Sequence, residues 1–132
     1  MNLVFLKLGV GSVPIELSRR GVDVGRDENG VVNYVAFDNQ KVTPQDIRYV
    51  QQIGTVRILS LSGSLVEDGV VEQLQELDSI TSLILYGTAT NDDDLEIIAR
   101  MKSLRLVNLR NTRMTSDGIT RLMRKRPEVE IQ

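Results

Sequence analysis

Two short runs hold the side chains best suited by type to chemistry. Asp92-Asp93-Asp94 could offer three carboxylates to a divalent cation, and Gly9-x-Gly11 is reminiscent of a phosphate-cradling loop. Spacing argues against both. Consecutive residues on a helix point in different directions, and no EF-hand loop spacing surrounds the three aspartates, so a role at a helix N-terminus is expected instead. No strand-turn-helix pattern follows Gly9-x-Gly11. The chain also lacks His and Cys entirely. Their absence removes the commonest general base, the commonest metal ligand, disulfides and thiolate sites together. Catalysis is therefore not expected, and no cofactor or metal is implied. A carboxylate pair enclosed in a pocket is the one enzymatic device left.

Charge is distributed unevenly. From Ile58 to Ala99 there are nine acidic residues and no Lys or Arg, whereas Arg100 to Arg126 carries nine basic residues against Asp117 alone. The local balance runs from −9 to +8 inside a chain of net charge −2. Such a molecule could steer an acidic partner to one end, or associate head-to-tail with itself, acidic middle to basic end. Charges suited to helix termini account for part of the pattern. The basic end could neutralise phosphate, but no aromatic residue follows Tyr86 and the chain is acidic overall. Nucleic acid is not the expected partner.

The elements that must position these residues are set by a repeat. The 132 residues fit one domain, and with only five aromatic side chains the core must be built from Leu, Ile and Val. The same columns recur every 24 residues, without insertion, across four units. Val32, Val56, Ile80 and Leu104 open the units, and Val35, Leu59, Leu83 and Val107 follow. Phe37, Leu61, Leu85 and Leu109 come next, then Val42, Val66, Thr90 and Met114. Ile47, Val71, Leu95 and Ile119 precede Val50, Leu74, Ile98 and Leu122. Each unit alternates first and then takes helical spacing, which predicts a strand followed by a helix. Thr43-Pro44, Asn91-Asp92 and Thr115-Ser116 mark helix starts. Glu67 is a poor cap, with Asp68 expected in that first turn.

Val56-x-x-Leu59-x-Leu61, Ile80-x-x-Leu83-x-Leu85 and Leu104-x-x-Val107-x-Leu109 follow the pattern L-x-x-L-x-L. The chain resembles the bacterial, planctomycete-type leucine-rich repeats whose units read L-x-x-L-x-L-x-x-T-x-V-T-D-x-G-L. The fourth unit matches best, through Thr112, Met114, Thr115, Gly118 and Ile119, with Ser116 where Asp is usual. The third has Thr88, Thr90 and Asp92, while the first two place Gln40 and Ser64 at the Thr position. The resemblance covers roughly residues 31 to 126. It implies an α/β solenoid of four strand-helix repeats, with parallel strands on a concave face and helices outside, and says little of function.

The expected organisation is an N-terminal segment and cap over 1–31, units at 32–55, 56–79, 80–103 and 104–126, and an edge strand or cap over 127–132. A helix from Ser12-Val13-Pro14 to Gly21 and a hairpin around Arg26-Asp27-Glu28-Asn29-Gly30 form the N-terminal cap, whose second strand merges into the first unit. After Pro127, Val129 and Ile131 alternate with Glu128 and Glu130, a charged edge strand expected to end the stack. The apolar start, Leu3 to Leu8, has no cationic residue before it, is interrupted by Lys7 and is too short to span a bilayer. Neither signal peptide nor membrane partner is expected. A cytoplasmic location is the default, and a piece cut from a longer secreted or anchored chain stays open.

If Val35, Phe37 and their equivalents point inward, the alternate positions form three rows on the strand face. These are Tyr34, Ile58, Ser82 and Leu106; Ala36, Ser60, Ile84 and Asn108; and Asp38, Ser62, Tyr86 and Arg110. Apolar side chains on a surface open to water suggest a site for a partner protein. The candidate binding residues are Tyr34, Ile58, Ile84, Tyr86, Leu106, Asn108, Arg110 and Arg113. The expected function is a non-catalytic protein-protein interaction module, with self-association into a homo-oligomer as the alternative.

Overall fold

The computed structural model describes residues 12–132; the apolar start and Gly9-x-Gly11 lie outside them. The alternating stretches form strands β1 (Asp23–Arg26), β2 (Val32–Ala36), β3 (Lys41–Val42), β4 (Ile58–Ser60), β5 (Leu65–Val66), β6 (Ser82–Ile84), β7 (Leu106–Asn108) and β8 (Glu130–Ile131). Six make one open sheet in the order β1-β2-β4-β6-β7-β8, and β3 pairs with β5 separately. Only β1 runs antiparallel, against β2. Each parallel step joins residues 24 apart, so Val35, Leu59, Leu83, Val107 and Ile131 stand side by side.

Parallel neighbours need a crossover, and the segments of helical spacing supply it. After α1 (residues 12–19) come α2 (Pro44–Ile53), α3 (Val70–Leu74), a 3-10 turn (Asp92–Asp94) leading into α4 (Leu95–Ala99), and α5 (Ser116–Lys125). The result is a mixed α/β fold with a mostly parallel sheet. Val35, Leu59, Leu83 and Val107 are fully buried and share one core cluster with Val50, Leu74, Ile98 and Leu122 from the helices. Burying each such side chain contributes roughly 1.5–3 kcal/mol.

Polar columns with the same 24-residue period fix the turns. Asn39, Gly63, Gly87 and Asn111 all have positive φ, between 57° and 72°. Gly and Asn are the residue types that enter this region most readily. One position later, the hydroxyls of Ser64, Thr88 and Thr112 donate to the carbonyls of Leu61, Leu85 and Leu109 at 2.6–2.7 Å. Gln40 takes that position in the first unit and instead donates to Gly21 O at 3.0 Å, tying α1 to the sheet. Thr55, Ser79 and Ser103 donate to Val32, Val56 and Asp78 carbonyls at the feet of the strands.

Three helical segments start where cap residues predict. Thr43 and Asp46 make a capping box, as do Asn91 and Asp94, and Thr115 accepts from Gly118 N at 3.0 Å. The second unit departs from expectation. Its helix begins only at Val70, after Gly69 in a left-handed conformation and without a side-chain cap. Asp68 therefore precedes the helix instead of sitting in its first turn. Glu67 is too long to fold back onto the first-turn amides, and pairs with Lys41 at 3.2 Å.

The N-terminal hairpin forms around the expected loop, with Arg26 still in β1 and Val31 in the return. The chain needs five residues to return, held by Asp27 Oδ1, which accepts from Asn29 N at 2.8 Å and Val31 N at 3.0 Å. Asp46 is buried, and both its oxygens are satisfied by Arg20 at 2.5 Å and Thr43 N at 2.9 Å.

Candidate functional site

Alternation decides what the sheet shows to solvent. With Val35, Leu59, Leu83 and Val107 turned toward the helices, their neighbours turn away, and the register aligns Tyr34, Ile58, Ser82 and Leu106 in one row. Ala36, Ser60, Ile84 and Asn108 form the second. Just past the strand ends, Asn39 N donates to Ser62 O, Gly63 N to Tyr86 O and Gly87 N to Arg110 O, at 2.8–3.1 Å. This carries the ladder one step further and sets Asp38, Ser62, Tyr86 and Arg110 abreast as a third row.

Ile58 is 36% exposed and Tyr86 43%, while Ile84 and Leu106 are half-buried. These four apolar side chains share the outer face with Asn108 and Arg110. Tyr34 also belongs to the face, but it has a structural partner. A Cβ on its cross-strand neighbour Gly25 would lie only 3.2–3.3 Å from Tyr34 Cβ and Cδ2, so the ring covers the glycine. Burial raises the Tyr34 hydroxyl above its ordinary pKa, and the carboxylates of Asp38 and Asp23 add to the effect.

Arg113 stands apart from the other seven candidates. Its amide donates to Thr90 O at 2.8 Å in a short bridge with Asn91, outside the six-stranded sheet. Asn108 has a local task, since its Oδ1 accepts from Arg110 N at 3.0 Å and shapes the strand end.

Two contributors do not stand out in the sequence. Ser60, buried under the third row, donates to Asp38 Oδ1 at 2.6 Å, and Ser62 N donates to the same oxygen at 3.2 Å. Asn111 Nδ2 donates to Tyr86 Oη at 2.8 Å and steadies the exposed phenol. The signal in both cases is the 24-residue period itself, which brings residues 22 to 25 apart into contact.

The charge split is partly neutralised inside the molecule. Asp92 Oδ1 accepts from Thr115 N at 2.8 Å, and its Oδ2 from the Thr115 hydroxyl at 2.5 Å, with Arg121 at 3.6 Å. The Thr115 bonds and then Arg121 hold the Asp92 carboxyl below its ordinary pKa. Lys125 pairs with Glu96 at 3.1 Å. Arg126 donates to the carbonyls of Ala99, Met101 and Leu104 at 2.8–3.1 Å and to Glu128 at 2.7 Å. Acids of the third unit thus face bases of the fourth, and among the described residues four of the nine basic side chains are engaged: Arg121, Lys125, Arg126, and Arg105 through Leu104 O at 3.0 Å.

Of the three aspartates, Asp92 binds the cap of the following helix and Asp94 caps its own, accepting from Asn91 N at 3.0 Å. Asp94 also lines an open cleft of about 280 Å³ with Glu67, Asp68 and Glu72. Burial raises its pKa, against the Asn91 bond, with Glu72 and Asp93 adding repulsion. Among the described residues no group of three such side chains is placed to hold a metal ion, and no helix is long and apolar enough to cross a membrane. No family model matches the chain, and no curated protein matches it.

Proposed function

We propose that the chain is a leucine-rich-repeat solenoid of the bacterial type its motifs resemble, and that it works as a non-catalytic module binding another protein. Four units, each a strand and its return helix, would stack in register, with the sheet's outer face on the concave side. The 24-residue offset in every parallel pairing supports that architecture. The observation that carries the function is the row pattern of Ile58, Ile84, Leu106 and Tyr86, apolar side chains on the sheet face turned away from the helices. Exposed apolar groups beside polar ones are what a partner surface desolvates on binding. Arg110 extends this surface to the basic last unit, whereas Arg113 contributes only to a partner that wraps beyond the sheet edge.

The test compares the immobilised wild-type chain with a Tyr86→Ala/Arg110→Ala variant in a nuclease-treated native lysate. The expected result is a protein retained by wild type and depleted on the variant, with unchanged circular dichroism. Equal retention by both would remove the face from the account.

A further inference from the structure

Among the described residues, the outer face carries two opposite charges, Asp38 and Arg110, that enter no ion pair. Asp38 uses Oδ1 for Ser60 and Ser62, and its Oδ2 has no hydrogen-bond partner among the described residues. Arg110, at the other end of the same row, is exposed, and its guanidinium makes no hydrogen bond or ion pair among the described residues. Three strand spacings separate their backbones, about 14 Å. That exceeds the Debye length of about 8 Å at physiological salt, so the two charges do not neutralise each other. Between them lie Ser62 and Tyr86, with Ile84 alongside in the second row.

We propose that this row takes an extended segment of a partner protein with a basic and an acidic side chain four residues apart and an apolar one midway. The inference rests on the protein-binding reading above and names the partner's chemistry. An extended chain advances about 3.3 Å per residue, so about four residues cover the distance. Residues i, i+2 and i+4 of such a chain point to one side, which brings all three onto the face. A helix fails the same geometry. It needs about nine residues to advance 14 Å, and at 3.6 residues per turn those two side chains leave from opposite sides. The basic residue sits over Asp38, the acidic one over Arg110, and the apolar one against Ile84 and Tyr86. Because the segment crosses the strands, it forms no ladder with them, and recognition is carried by side chains.

The probe is a phage-displayed library of random 12-residue peptides panned on the whole chain, with selected peptides synthesised and titrated by fluorescence anisotropy. The expected result is enrichment of basic-x-apolar-x-acidic sequences in either direction along the peptide. Binding should weaken about two- to fivefold in Asp38→Asn and in Arg110→Ala, and further at high salt. Panning on the double variant should no longer enrich the charged pair. Peptides that lose binding in Ile58→Ser and Ile84→Ser but carry no such pair would overturn this inference and leave the protein-binding face standing. Selected peptides insensitive to all four substitutions, or no peptides at all, would count against both.

Discussion

Replacing Arg126 with alanine should be among the most damaging single changes outside the apolar core. Its side chain is only 12% exposed and reaches back one unit, with Nη1 on Ala99 O and Met101 O and Nη2 on Leu104 O. These carbonyls end α4 and begin the run into β7; Met101 O also accepts from Leu104 N and Leu104 O from Arg105 Nη1, while Ala99 O has Arg126 as its one donor among the described residues. A hydrogen bond from a charged donor contributes roughly 1.5–3 kcal/mol net. An open cleft lined by Ala99, Arg100, Lys102 and Arg126 admits water once the side chain is gone, and two of the carbonyls keep another donor, so a value below that range applies. Taking about 1 kcal/mol per carbonyl gives about 3 kcal/mol, a large share of the roughly 5–15 kcal/mol that holds a domain together. With a urea slope of about 1.5 kcal/mol per molar, the midpoint should fall by about 2 M. Arg126→Lys, with one ammonium for three divergent carbonyls, should recover about a third of the loss. Urea titration followed by circular dichroism reads both. A fall of less than about 0.3 M for Arg126→Ala, or full rescue by lysine, would refute the reasoning.

Two other perturbations have definite signs. Gly118→Ala should destabilise although it lies in a helix, because a Cβ there meets Asp92 Oδ1 and comes within 2.8 Å of Met114 Sδ. In an Asp92→Ala background most of that cost should disappear, because only the flexible Met114 thioether then has to shift; thermal melts of the four chains show whether it does. Asp94→Asn should raise the melting temperature at neutral pH, since the amide oxygen can still accept from Asn91 N while the partly buried charge and its repulsion by Glu72 and Asp93 disappear. The raised carboxyl pKa means the folded chain binds that proton more tightly than the unfolded one. Its stabilising effect is present below the ordinary carboxylate range and is lost as pH rises through the raised value. The advantage of Asp94→Asn should therefore vanish in acid, and a lower melting temperature at neutral pH would contradict the assignment.

Periodicity alone makes the strand register legible. Val35, Leu59, Leu83 and Val107 share a sequence column and stand side by side in the sheet. Alternation then yields the face of Ile58, Ile84, Leu106 and Tyr86. Helix boundaries are legible where a Thr or Asn can cap, and not at Glu67, whose side chain is the wrong length. The long-range polar contacts are hidden for a different reason. Arg20 with Asp46, and Arg126 with three carbonyls, depend on where a long flexible side chain turns, which column spacing does not encode. Gly118 is a motif position whose cause lies outside its own unit, in the Asp92 carboxylate of the preceding one. Tyr34 lies on the face as its column implies, and its contact with Gly25 is hidden because that glycine lies outside the repeat columns.

The measurement that tests the central claim most directly is site-specific photo-crosslinking from the two sides of the molecule. A benzophenone side chain placed at Ile84 on the sheet face, or at Met123, 54% exposed on α5, is irradiated in native lysate. The account predicts a discrete protein adduct from position 84 and none from position 123. The reverse pattern, or the same adduct from both, would contradict it.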